Sequence, residues 1–162
     1  MESTNSLLES WDRQCRITKA VADLIDDSSS NLKPSPDGWP LYVHLAHMHK
    51  VRKFHLHELD PEGAAALAEL FRDGWDNPID DLDAIKQALD DSAAAVRHAL
   101  KQTLDAGEVK VGGYDHPVFF LQHLVFHEGW HIGLIFLAFR LAGKEIPEEW
   151  EETRVWAEWR SD

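Results

Sequence analysis

The residues best suited to chemistry in this chain are two histidines, His127 and His131. On an α-helix, residues four apart project from one face with their β-carbons roughly 6 Å apart, so two imidazoles at this spacing can bind one ion. Neutral imidazole is a ligand for zinc, nickel, iron or copper. Three histidine ligands would leave an open coordination position, which is typical of reactive metal sites and not of closed structural ones.

A third ligand has several candidates in the sequence. His44 and His47 lie on the apolar face of a predicted helix and are expected to face the core, where an unsatisfied imidazole is costly. Periodicity alone does not choose between them. His123, one turn before His127, is a possible ligand, supporting group or core residue. Four other histidines are expected to be solvated or in loops: His49, His57, His98 and His116.

The sequence HEGWH at residues 127–131 also matches the H-E-x-x-H motif of zinc metalloproteases. In those enzymes the glutamate is the general base for a zinc-bound water. The extended form of the motif is absent, because Leu134 and Leu137 stand where it requires glycine and histidine. Glu128 lies about 100° around the helix from His127, so we expect it to point away from the ion.

Helical periodicity predicts the elements that must position these residues. Four long helices are predicted over residues 3–27, 39–59, 80–104 and 117–142. Shorter helices are expected within residues 64–71 and 148–160. No segment alternates convincingly as a strand does, so the predicted fold class is all-α, an up-down four-helix bundle.

Composition narrows the classes of function. The chain has 162 residues, 44% of them hydrophobic, which suits one domain with one core. Its formal charge of −13 argues against a nucleic-acid partner. The single cysteine, Cys15, and the absence of a signal-like N-terminal segment predict a cytoplasmic protein. No run of about 20 uninterrupted apolar residues is present, so no membrane partner is expected.

Three stretches resemble the DinB-like (DinB/YfiT) superfamily of metal-binding four-helix bundles. WPLYVHLAH at residues 39–47 is similar to the family's tryptophan followed by LAH, and HEGWHIG at 127–133 is similar to its H-E-x-x-H-x-G-Q. LAGK at 141–144 is similar to the sequence after its last long helix. The resemblance covers the chain, so we expect residues 1–162 to form a single DinB-like domain. Leu134 replaces the family's glutamine, so any polar role of that position is absent.

The resemblance implies that His47, His127 and His131 hold a divalent metal ion, commonly zinc or nickel. It also implies relatives that use the metal to activate a low-molecular-weight thiol, and frequent dimers. The predicted function is therefore a metal-dependent thiol S-transferase with a small-molecule substrate or thiol as partner. Two alternatives stay open: a metal-dependent hydrolase, and a non-catalytic protein that binds metal or a small ligand.

The predicted helix at residues 117–142 is apolar nearly all round. Its side chains opposite the histidines are Val125, Phe136 and Phe139, with Ile132 nearby. A bundle helix with one buried side does not need them. Gly129 and Gly133 each cost about 1 kcal/mol in a helix relative to alanine, which suggests close approach of another backbone. We therefore predict that this face packs on a second subunit of a homodimer or under the C-terminal tail.

Overall fold

The computed structural model describes residues 2–108 and 110–160, with residues 2–4 described only in their backbone. Its long helices are α1 (Glu2–Asp23), α2 (Leu41–Leu56), α4 (Leu82–Asp105) and α5 (Pro117–Leu141). Its short elements are α3 (Pro61–Ala66), β1 (Phe71–Asp73), β2 (Asp76–Pro78) and α6 (Glu148–Glu151). A π-helical turn (Glu152–Trp156) and a 3-10 turn (Ala157–Trp159) follow α6. The all-α prediction is confirmed; the predicted domain also includes positions 1, 109, 161 and 162, which lie outside the described residues.

Polar side chains begin two of the long helices. The Asp81 carboxylate accepts a hydrogen bond from the backbone N–H of Ala84 at 3.0 Å, where α4 begins. His116, predicted to be a loop residue, caps α5 by accepting from the Val118 N–H at 3.2 Å. Both bonds satisfy donors that a first helical turn leaves without partners, and Pro117 suits the first position of α5 because it has no N–H to satisfy.

The core shows the direction in which each long helix runs. One end of the bundle contains Val21 of α1, Leu45 of α2, Ile85 of α4 and Ile135 of α5. The other end contains Trp11, Leu56, Leu100 and Leu124 from the same four helices. Helices α1 and α5 therefore run in one direction, and α2 and α4 run in the other. Helices α1 and α2 each pack against both α4 and α5, and the connection at residues 57–81 returns along the bundle.

That connection differs from its prediction. The short helix expected within residues 64–71 ends at Ala66, and Phe71 begins a strand that pairs antiparallel with β2. Gly74 makes the turn between the strands with a φ of +63°, a conformation that glycine adopts without steric cost. Strands of three residues are too short to show an alternating pattern, so periodicity did not predict them.

His49 is fully buried, so the prediction that it is solvated was wrong. Its Nδ1 lies 2.9 Å from the carbonyl oxygen of Ala88 in α4. Its Nε2 lies 2.9 Å from the carbonyl oxygen of Ala68, in the segment that precedes β1. Both carbonyl oxygens are acceptors and a neutral imidazole has one N–H, so the ring donates to one of them and lies between α2 and both neighbouring segments.

Helix α5 is long and apolar enough, by length and composition alone, to cross a membrane. This differs from the expectation drawn from the sequence, where no apolar run of about 20 residues is uninterrupted. The same helix packs against α1 and α2, with the polar side chains of Glu128 and His131 buried. The core helix of a soluble protein passes the same test, so the observation is weak evidence for a membrane span.

The apolar faces of α5 are arranged differently from the prediction. Ile132 and Phe139 are buried within the chain, and the Phe136 ring packs edge-on against Trp150 of the C-terminal tail, with centroids 6.4 Å apart. The large apolar side chains left exposed on α5 lie on another face. We call this the outer apolar face, and it contains Phe119, Phe126, Trp130, Leu137 and Leu141.

Candidate metal centre

The antiparallel helices α2 and α5 bring His47 opposite His127 and His131. One ring nitrogen from each of these histidines lies within 4.8 Å of the other two. The Nε2 atoms of His127 and His131 are 3.1 Å apart. Two nitrogens bound to one tetrahedral zinc ion at about 2.05 Å are about 3.3 Å apart, so the spacing suits a divalent ion.

The environment keeps these three imidazoles in the neutral form that metal binding requires. Burial, the largest cause, lowers the pKa of His47. Burial, followed by the charge of His47, lowers the pKa of His127 to about 4. Burial and the neighbouring rings, His127 first, lower the pKa of His131 to about 3. At neutral pH the ring lone pairs are therefore available to a metal ion and not occupied by protons.

His44 lies directly behind the cluster. Its Nδ1 is 2.8 Å from Nδ1 of His131. If Nε2 of His131 binds a metal ion, its Nδ1 carries the proton and donates to His44. Such bonds fix the orientation of a ligand ring. Burial, the largest cause, and the charge of His47 lower the pKa of His44 to about 4, so the ring is neutral at pH 7 and its Nδ1 lone pair can accept this hydrogen bond.

Glu128 points away from the histidine cluster, as predicted. Its buried carboxylate accepts hydrogen bonds from Nε and Nη2 of Arg52 at 2.7 and 2.9 Å, and from the Thr18 hydroxyl at 2.6 Å. Gln14 adds a further bond at 3.3 Å. Because these bonds tie the carboxylate to α1 and α2, it is not placed to be the general base of a metalloprotease. The match to H-E-x-x-H therefore does not indicate a protease here.

Two tryptophans form an aromatic rim beside the partly exposed ring of His47. The Trp39 ring lies 5.0 Å from that of His47, centroid to centroid, and is parallel to the His131 ring at 6.2 Å. The Trp75 ring lies 5.6 Å from that of His47. Both indoles are 47% exposed, so they flank the site without closing it. Sequence reasoning missed Trp75, because a residue in a hairpin turn has no helical periodicity.

A second polar group of side chains lies one helical turn along α5, and we call it the tyrosine–histidine cluster. The hydroxyl of Tyr114 is within hydrogen-bond distance of Nδ1 of His123 and lies 3.3 Å from Nδ1 of His55. The two imidazole centroids are 4.9 Å apart. His123 therefore belongs to this second group and not to the histidine cluster of His47, His127 and His131. Tyr114 and His55 were missed, because only the packing of α2, α5 and the preceding turn brings them together.

The free cysteine is an unsuitable nucleophile. Cys15 is partly buried and packs against the core at the end that contains Trp11. Burial, the largest cause, raises the pKa of its thiol to about 12. Because the thiolate is the reactive form, the thiol is inert at neutral pH. Any thiol chemistry at the histidine cluster therefore needs a thiol from outside the chain.

These features define an all-α helical bundle with a three-histidine cluster that is compatible with metal binding. Residues 1–159 match the model of the DinB family, and the chain belongs to this family. The resemblance seen in the three sequence stretches is thereby confirmed. Searches of curated proteins and of solved structures found no match.

Proposed function

We propose that this protein holds a zinc or nickel ion with His47, His127 and His131 and uses it to activate a low-molecular-weight thiol for S-transfer. The observation that carries the proposal is the convergence of three imidazole nitrogens within 4.8 Å, two of them from partly exposed rings. Three protein ligands leave one tetrahedral position for an external molecule.

The donor set suits an anionic ligand. A divalent ion in an open site lowers the pKa of a bound thiol or water, so a nucleophile is available at neutral pH. Three neutral imidazoles contribute no negative charge, so a bound thiolate would offset part of the charge of a divalent ion at this site. Trp39 and Trp75 contribute apolar contacts for an organic ligand and reduce its contact with water.

The proposed transfer balances without a redox partner. The thiol releases its proton to solvent, and its sulfur electron pair forms a bond to an electrophilic carbon of the second substrate. The leaving group departs with the electron pair of the bond that breaks. Cys15 takes no part, because burial keeps its thiol protonated.

Cobalt substitution tests the proposal. We expect the cobalt protein to change its visible spectrum when β-mercaptoethanol is added, because a thiolate enters the open position. The His127→Ala variant should lose the cobalt spectrum. His57→Ala, which removes an exposed imidazole outside the cluster, should keep both the metal and the thiol response.

Two other outcomes would replace the proposal. A metal-loaded protein that hydrolyses model esters, and whose cobalt spectrum is unchanged by thiols, would be a hydrolase that uses the same open position for water. A metal-loaded protein with neither response would be a non-catalytic metal-binding protein. A purified protein without metal, whose stability a chelator does not change, would contradict metal binding itself.

We also propose that the outer apolar face of α5 packs against a second copy of this chain. Phe126 and Trp130 are 71% and 63% exposed. Gly129 and Gly133 are also exposed, and a β-carbon added at either would meet nothing within 4 Å, so a partner helix has room to approach. The side chains that define this face are all apolar, with the exposed Arg140 at its edge, so the face brings none of the chain's net charge of −13 into a contact between two copies.

A further inference from the structure

The fold fastens Tyr114 in place by a specific contact between a turn and the end of α2. Val111 and Tyr114 pair across the turn, and Gly112 has a φ of +53°. The carboxylate of Glu58, just beyond α2, accepts a hydrogen bond from the Gly113 N–H at 2.9 Å. A β-carbon on Gly112 would lie 2.1 Å from that carboxylate, so only glycine permits this approach. The turn thereby carries the Tyr114 hydroxyl to two imidazoles.

The number of hydrogen-bond donors and acceptors in the tyrosine–histidine cluster determines which ligand groups it can bind. The Tyr114 hydroxyl has one proton, so it donates to Nδ1 of one imidazole and accepts from Nδ1 of the other. The neutral ring that accepts must carry its own proton on Nε2, while the ring that donates has a lone pair there. Among the described residues, neither Nε2 has a protein hydrogen-bond partner. The cluster therefore offers one donor and one acceptor, whichever ring has which role.

We propose that the tyrosine–histidine cluster binds an uncharged carboxamide group of a thiol ligand. The thiol of the same ligand binds at the cluster of His47, His127 and His131. This inference rests on the proposed function. An amide both accepts and donates hydrogen bonds, which matches the two Nε2 atoms, whereas a carboxylate only accepts. His123 and His127 are one turn apart, roughly 6 Å between their β-carbons, so an amide three bonds from the sulfur has a suitable span.

Three thiols of similar shape test this inference on the cobalt protein. They are β-mercaptopropionamide, isopentyl thiol, in which a hydrocarbon replaces the amide, and β-mercaptopropionate. We expect wild type to bind the amide at least about tenfold more tightly than either of the others, as for one or two well-made hydrogen bonds. Tyr114→Phe should remove this preference and leave the affinity for isopentyl thiol unchanged.

The other tyrosine of the chain is the matched control. Tyr42 packs against the core at the opposite end of the bundle, so Tyr42→Phe should keep the preference for the amide. Equal affinities for the amide and the hydrocarbon in wild type would overturn the inference. Equal weakening of both ligands by Tyr114→Phe, or tighter binding of the carboxylate than of the amide, would do the same.

Failure of the proposed function is distinguishable from failure of this inference. If no thiol changes the cobalt spectrum, thiol activation is contradicted. The cluster is then tested at alkaline pH with the amine pair β-alaninamide and isopentylamine, in which an amine is the metal ligand. A preference for β-alaninamide that Tyr114→Phe removes supports the amide site, and its absence overturns it.

Discussion

At the level of single residues, Arg52 and Glu128 form the most deeply buried ion pair among the described residues. Their side chains are 2% and 1% exposed. The guanidinium also donates to the Leu89 carbonyl oxygen at 2.8 Å and lies over the Trp11 ring, 5.0 Å from its centroid. The pair joins all four long helices through hydrogen bonds, because Glu128 also accepts from Thr18 of α1, and Glu128 is next to a candidate ligand in sequence. It therefore supports the histidine cluster through the backbone of α5.

Replacing Glu128 with glutamine should destabilise the fold and spare metal binding. The substitution leaves a buried guanidinium without its counter-charge, which costs about 3–5 kcal/mol. Urea unfolding measures the loss, and metal content at low denaturant measures the site. The double variant Arg52→Met/Glu128→Leu should lose less stability than Glu128→Gln alone. A stable Glu128→Gln protein that has lost its metal would instead place the carboxylate in the metal site.

The histidine pKa values predict how the metal-free protein responds to acid. An imidazole has an ordinary pKa near 6.5, which applies to the unfolded chain, whereas the pKa of folded His131 is about 3. Between these values the unfolded chain binds more protons, so the free energy of unfolding falls as the pH falls, and it is unaffected above this range. Denaturation of the metal-free protein at pH 5 and pH 7 should show this loss.

His131→Gln separates this histidine from the other titrating groups. The variant should lose less stability between pH 7 and pH 5 than the wild type, because one proton-binding site of the unfolded chain is gone. An identical loss in both proteins would contradict a lowered pKa for His131. His98→Gln, at an exposed position outside the cluster, should behave as wild type.

At the scale of elements, the site depends on two helices and two turns. Helices α2 and α5 supply the histidines of both clusters, and their antiparallel packing sets which histidines face each other. The β-hairpin supplies Trp75, and the turn before α5 supplies Tyr114. The helices therefore supply the histidines, and the turns supply side chains that surround them.

Gly112→Ala should displace the turn that carries Tyr114. The added methyl meets the Glu58 carboxylate and forces a non-glycine residue to a φ of +53°. Gly107→Ala is the control, because Gly107 has a φ of +71° but no atom near an added β-carbon. We expect both variants to lose about 1–2 kcal/mol from the backbone conformation. Gly112→Ala should lose more, together with the preference for the amide thiol.

At the scale of the whole molecule, exposed apolar residues are concentrated on α5. The helix is buried on the side that faces α1 and α2, and Phe136 is covered by the C-terminal tail. The outer apolar face has no cover in the described chain. Burying it in a dimer would remove large aromatic side chains from water, the main favourable term in protein association.

Trp130→Glu should convert the proposed dimer into a monomer. A charge at the centre of the outer apolar face would be buried without a partner in the dimer. Light scattering at micromolar concentration measures the change. Trp156→Glu, which alters a similarly exposed tryptophan outside that face, should leave the dimer intact. A wild-type monomer under these conditions would contradict the proposal.

Local periodicity alone determined much of this protein. It predicted the four long helices within a few residues at most ends and placed His127 and His131 on one helical face. It also predicted that Glu128 points away from the histidine cluster. These features depend on residues close together in sequence, whose geometry the helix fixes. The family resemblance then singled out His47 over His44, and the structure puts His47 in the cluster with His44 behind His131.

Packing between distant segments determines the features that local periodicity did not predict. His44 and His47 share one face of α2, so the rotation of α2 against α5 determines which of the two rings lies beside both His127 and His131. His49 lies on the side of α2 that α4 and residue Ala68 cover, which periodicity within one helix does not reveal. Trp75, Tyr114 and His55 meet the site through turns and long-range packing. Two of the three candidate metal ligands, His127 and His131, are close together in sequence, so the helix sets their geometry. The third candidate ligand and the side chains proposed to select a ligand come together only when distant segments pack.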